Sequence, residues 1–229
     1  MWENSAAAFA AAHARGVEYI ETDCQVTADG DAVLFHDDTL ERLHGDERAI
    51  SAVSTRELSE ILADHGGLLT VSEALASFPD VRFNIDVKTD AAVDPIGPAV
   101  SGHTRRVLLT SFSDARRRRA VAEVARAGAA EPPATSAGRN TIIALLAASA
   151  MRLSPGVSRA LREVDALQIP LSYGPVKILS PALLRHARGS GVEVHVWTIN
   201  DPERMRELVS AGVDGIVTDR ADLAAEALF

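Results

Sequence analysis

Glu21 and Asp23 stand two apart in the strand-like run IETDCQV, so both side chains project from one face of the strand. Neighbouring carboxylates repel and raise each other's pKa unless a cation sits with them. A hard divalent ion meets that need. Asp86, at the end of the later run FNIDV, is placed to add a third oxygen ligand. An all-oxygen set of this kind suits Mg²⁺ or Ca²⁺ and suits zinc less well. The competing reading of the three acids is a salt-bridged rim. Lys88, two residues beyond Asp86, points the same way, either to grip a phosphate oxygen or to neutralise Asp86. His36 follows the apolar run AVLF and precedes Asp37 and Asp38. With a reference pKa of about 6.5, a histidine there can move protons to or from a phosphodiester oxygen.

Other candidates carry less. Trp197 ends the run EVHVW, where its indole serves equally as a pocket wall for a substrate's carbon skeleton or as core packing. His195, inside that run, reads as a packed or hydrogen-bonded strand residue. His13, His44, His65, His103 and His186 lie in helical or loop contexts and are given no role. Cys24 alternates with Glu21 and Asp23, so its thiol faces the opposite side of the strand as a small buried group.

These residues need strands to hold them. Short β-rich runs recur at residues 17–26, 81–87, 107–111, 133–136, 166–169, 193–197 and 215–218, and an Asp29-Gly30 turn leads from the first to a hairpin partner at 32–35. Helical stretches lie between them. Thr70 with Glu73 spells a capping box, Ser113 and Ser180 read as N-caps, and Asp201-Pro202 opens another helix. Runs such as VRFNIDV and GIVTD are continuously apolar, as in strands buried on both faces of a parallel sheet. Polar residues fall at the C-terminal end of nearly every run, which a closed barrel gathers around one mouth. The fold class expected is therefore α/β, a TIM (β/α)8 barrel forming a single domain over residues 1–229. Seven principal strands and a leading helix over residues 4–14 leave the first strand of such a barrel missing. It is expected upstream of Met1.

Bulk properties set the surroundings. The chain has 229 residues, 47% of them hydrophobic, which supports one large core and excludes disordered or fibrous classes. A formal charge of -9 and a sequence pI near 5.2 argue against nucleic acid or an anionic membrane as partner. The basic run Arg116 to Arg119 reads as a solvated helix face. One cysteine excludes an internal disulfide and any cysteine-rich zinc site. No apolar run approaches the roughly 20 residues needed to span a bilayer, and the first residues lack the basic start of a signal peptide. A cytoplasmic protein acting on a small molecule is expected, with no membrane insertion.

The strings ENSAAAFAAA, GVEYIETDCQVTADGDAVLFHDDTLER, FNIDVK, TSFSDARRRRA, VHVWTIND and GVDGIVTDRADL, in that order, resemble the glycerophosphodiester phosphodiesterase family, particularly its actinobacterial cytoplasmic-type members. The resemblance covers essentially the whole chain and is weakest over residues 131–170. It implies a TIM barrel that uses a divalent metal to hydrolyse glycerophosphodiesters to glycerol 3-phosphate and an alcohol. By motif, Glu21, Asp23 and Asp86 match the metal ligands, although many members have Glu where Asp86 stands. His36 matches one of two acid/base histidines, Lys88 a substrate-contacting lysine and Trp197 a residue lining the pocket. The other histidine and a phosphate-binding arginine belong to a His-Arg-Gly motif at the end of the first strand, and that tripeptide is absent from this sequence. The resemblance thus implies impaired turnover by the chain as written. Two alternatives fit the same residues: an inactive barrel that binds metal or phosphoester, and a lipid phosphodiesterase of phospholipase D type.

Overall fold

The computed structural model describes residues 2–228. Its Cα positions group into two units, Met1–Ser111 with Ala115–Pro133, and Phe112–Asp114 with Ala134–Phe229.

The first unit contains α1 (Ala6–His13), β1 (Tyr19–Val26), β2 (Ala32–Leu34), the short α2 (Glu41–His44), α3 (Thr55–Leu62), α4 (Val71–Ser77), β3 (Arg82–Val87), α5 (Val93–Val100), β4 (Val107–Thr110) and most of α6 (Asp114–Arg126). β1, β3 and β4 pair in parallel in that order. β2 returns antiparallel to β1 and pairs Cys24 with Leu34 and Val26 with Ala32. The expected turn builds this hairpin: Gly30 takes φ +88°, a conformation glycine adopts without steric cost, and its N–H donates to the Thr27 carbonyl. The hairpin covers the edge of the first strand along residues 24–26.

Local signals explain the helix starts. Ser5 caps α1 by accepting from the Ala8 N–H, which shortens the expected 4–14 helix at its front. Thr70 and Glu73 form the full capping box of α4. The Arg106 guanidinium gathers the carbonyls of Leu75, Phe78 and Val81, closing the end of α4 in a way no cap signal revealed. Cys24 is fully buried among Ile20, Phe83 and Ile85 on the helix side of the sheet, as its alternation requires, and burial pushes its thiol pKa up.

The second unit contains β5 (Ala134–Thr135), α7 (Arg139–Ala150), α8 (Ser154–Leu161), β6 (Ala166–Pro170), β7 (Ser172–Tyr173), β8 (Val176–Lys177), α9 (Pro181–Gly189), β9 (Glu193–Trp197), α10 (Pro202–Ser210), β10 (Gly215–Ile216) and α11 (Ala221–Leu228). β6, β9 and β10 pair in parallel in the order β10-β9-β6. Ser180 and Asp201 cap α9 and α10 as read from the sequence. The β7–β8 hairpin was not expected, because two-residue strands with exposed side chains carry no hydrophobic pattern.

All seven principal strands are present, the first and last shortened to Tyr19–Val26 and Gly215–Ile216. The buried apolar side chains of the described residues gather in three clusters. Two lie in the first unit, around Phe83 and around Leu40, and one lies in the second around Leu167. Among the described residues no helix is long and apolar enough to cross a membrane.

Candidate active site

Parallel pairing of β1 with β3 sets Asp23 directly opposite Asp86. Lys88, just past the end of β3, turns back between them. Its Nζ lies 2.7 Å from Asp23 Oδ1 and 2.9 Å from Asp86 Oδ2, with the lysine side chain 18% exposed and each aspartate 8%. Backbone bonds hold the lysine there: its N–H donates to the Cys24 carbonyl, and Arg116 Nη1 donates to its own carbonyl at 2.5 Å. Burial alone would pull the Lys88 pKa down, but the Asp86 and Asp23 carboxylates outweigh burial and push it up, so the ammonium stays charged. Burial first, with the Asp23 charge adding to it, pushes the Asp86 carboxyl up against the pull of Lys88.

Asp86 Oδ1 is buried and has no hydrogen-bond partner among the described residues. An oxygen lone pair left this way in a buried carboxylate is a place for a cation. Glu21 lies two residues before Asp23 on β1 and is exposed. It does not join the two aspartates: among the described residues no three His, Cys, Asp or Glu side chains gather closely enough to hold a metal. Lys88 supplies a positive charge between the two buried carboxylates.

The hairpin brings His36 to β1, because the Phe35 N–H donates to the Asp23 carbonyl at 2.9 Å. His36 itself is exposed, with Nδ1 2.6 Å from Asp37 Oδ1. Arg42 Nε donates to Asp37 Oδ2 at 2.5 Å. Burial alone would raise the Asp37 pKa, but the hydrogen bonds from Arg42 and His36 outweigh it and hold the carboxyl below its usual value of 3.8. An ionised carboxylate only accepts, so Nδ1 carries the proton and Nε2 is left to face outward. Gln25, buried on the Asp23 face of β1, donates to the Asp37 carbonyl at 3.0 Å and to Asp38 Oδ1 at 2.9 Å. Asp38 thus anchors the loop that carries His36.

A carboxyl whose folded pKa lies below its unfolded value contributes stability that is fully present above the unfolded value and is lost as pH falls through the folded one. Asp37→Asn should therefore lower Tm at about pH 7 and cost progressively less as pH drops below about 4, toward the folded value. Thermal melts across that range check it.

Trp197 belongs to the second unit, partly buried at the end of β9, with its ring 6.1 Å from that of Phe112. Phe112 is 62% exposed, so the pair forms an apolar surface feature. His195 is buried with Nε2 2.9 Å from Glu193 Oε2, and a Cβ on Gly215 would fall 2.7 Å from its ring, the packed strand residue expected. The arginine run needs correction. Arg117 is buried and Arg116 is half-buried, pairing with Asp90 as well as with the Lys88 carbonyl; only Arg118 and Arg119 are exposed.

A phosphoester-cleaving enzyme built on parallel strand–helix repeats is the class that carboxylates, lysine and histidine in this arrangement define. The chain belongs to the glycerophosphoryl diester phosphodiesterase family, whose sequence profile matches residues 1–223. It is 36% identical to "Probable glycerophosphodiester phosphodiesterase 2" of Mycobacterium tuberculosis, across 99% of this chain and 85% of that protein. A glycerophosphodiester phosphodiesterase structure from Thermotoga maritima matches with a TM-score of 0.75 at 24% identity, covering 99% of this chain and 92% of that one. A phosphodiesterase from Oleispira antarctica, solved with the product sn-glycerol-3-phosphate, matches with a TM-score of 0.70 at 18% identity, covering 96% and 88%. The fold class is that of these enzymes, the TIM barrel.

Proposed function

We propose that the chain catalyses metal-dependent hydrolysis of a glycerophosphodiester to glycerol 3-phosphate and an alcohol. The observation that carries this reading is the Asp23–Asp86 pair, with its one unpartnered buried oxygen, on the strand that also receives the His36 loop. Hard oxygen donors fit Mg²⁺ or Ca²⁺, and Asp23 and Asp86 would hold the ion. Bound there, it would withdraw charge from a phosphoryl oxygen.

The remaining work falls to the chain's own side chains. Lys88 holds a phosphoryl oxygen by a charge-assisted hydrogen bond. His36 uses Nε2 to exchange a proton at one end of the displacement. Water adds to phosphorus, the bond from phosphorus to the alcohol oxygen breaks, and the proton ends on that alcohol. A small glycerophosphodiester rather than nucleic acid is the substrate, and the cytoplasm is the compartment.

Release of glycerol 3-phosphate from glycerophosphocholine with added Mg²⁺ or Ca²⁺ tests the reading. Release by the 229-residue protein is expected. No release would favour a barrel that binds without turnover. A second reading, in which the alcohol carries an acyl chain, would be supported by preference for a lysophospholipid over glycerophosphocholine.

A further inference from the structure

We infer that the dipeptide Glu3–Asn4 is a positioning element of the active site: Asn4 sets the Asp23 carboxylate, and Glu3, through Arg42 and Asp37, sets the His36 ring. The inference rests on the hydrolytic reading above for its purpose, and on geometry for its content.

Asn4 takes φ +54°, a left-handed conformation that few residues other than glycine adopt and that asparagine tolerates better than most. Its side chain is fully used in one direction. Nδ2 donates to Asp23 Oδ2 at 2.9 Å, while Oδ1 accepts from the Asp23 N–H at 3.2 Å and from Thr22 Oγ1 at 2.5 Å. Lys88 takes the other Asp23 oxygen, so each oxygen has its own donor and the carboxylate plane is fixed. The preceding residue reaches elsewhere. Glu3 pairs with Arg42 Nη2, Arg42 Nε holds Asp37 Oδ2, and Asp37 Oδ1 holds His36 Nδ1. Two consecutive residues therefore end on the two groups that the chemistry needs aligned, a carboxylate on β1 and an imidazole beyond β2.

The dipeptide is itself seated. Ser5 Oγ donates to the Trp2 carbonyl, and the N–H groups of Ala6 and Ala7 donate to the carbonyls of Gly67 and Gly66. Gly66 has φ +99°, and a Cβ there would lie 2.7 Å from Ser5 Oγ, so only glycine lets the segment approach this closely. The Glu3–Arg42 pair is about half exposed on each side. Pairs so exposed add little to folding, which makes a relay to His36 the role that this one can be tested for.

Nitrogen-15 NMR of the imidazoles in the 229-residue protein, at alkaline pH and with His36 assigned by loss of its signals in His36→Gln, reads the tautomer directly. Wild type should hold His36 as the Nδ1–H form. Asp37→Asn and Glu3→Gln should each shift it toward Nε2–H, with the melting temperature of Glu3→Gln unchanged. Asn4→Gly keeps the positive φ and removes the side chain; Mg²⁺ affinity, read from the thermal shift, should weaken about 10- to 100-fold. An unchanged tautomer in Glu3→Gln overturns the His36 half. Undiminished Mg²⁺ affinity in Asn4→Gly, or no Mg²⁺ shift in wild type, overturns the Asn4 half. A wild type that releases no glycerol 3-phosphate sinks the hydrolytic reading instead, while both of these measurements still decide the positioning.

Discussion

Asp23→Ala should abolish the thermal stabilisation that Mg²⁺ gives the wild-type protein and should lower kcat/KM for glycerophosphocholine by about 10³-fold. A ligand present at 100 times its Kd stabilises a protein by about 2.7 kcal/mol, so the wild-type shift is large enough to see vanish. Asp23 is the residue to choose because the site converges on it. Asp86 faces it across the sheet, Lys88 and Asn4 hold its two oxygens, and its carbonyl receives the loop that carries His36. The alanine variant keeps that carbonyl, so the His36 loop stays docked and the loss is assigned to the carboxylate. Folding should survive, because Lys88 retains Asp86 as partner. An unchanged Mg²⁺ shift would make Asp23 a rim residue in an ion pair and nothing more.

The largest stability effect should come from Lys88→Met. Methionine approximates the volume of the lysine stem but leaves Asp23 and Asp86 facing each other, each 8% exposed, without the ammonium that now lies within 3 Å of both. Breaking a buried ion pair by removing one partner costs about 3–5 kcal/mol, because the charge left behind is uncompensated. Chemical denaturation should show a loss of that size, and Mg²⁺ should recover part of it in this variant. A loss below about 1 kcal/mol, the range of exposed pairs, would mean that water already screens the two carboxylates.

The sequence was most informative where chemistry follows a period. Asp23, Asp86 and Lys88 share a strand-end face because alternation is strict, and the Asp29-Gly30 turn could only fold residues 32–35 back against β1. Their partners were harder to see. Gln25 continues the Glu21–Asp23 alternation and so carried a readable signal, but Arg42 reaches Glu3 across 39 positions and Asn4 reaches Asp23 across 19, distances that no local pattern encodes. Glu21 was placed with the aspartates on alternation alone, which fixes a face and not a distance. The arginine run was misjudged by counting charges instead of placing them. Arg117 stands at i, i+3 and i+7 with the buried Ala120 and Val124, the spacing of one helix face.

Trp2 lies against His65, ring centroids 4.3 Å apart, and stacks nearly parallel to His44 at 6.0 Å. The chain has two tryptophans, and they fall one in each unit. Protonated imidazoles quench indole emission, and burial together with the neighbouring His65 holds the His44 pKa below the usual imidazole value. Trp2 is thus a built-in fluorophore whose brightness depends on how closely the segment leading to Glu3 and Asn4 lies against those rings. Any substitution that loosens that segment should change the intensity of Trp2 while Trp197 serves as the internal reference.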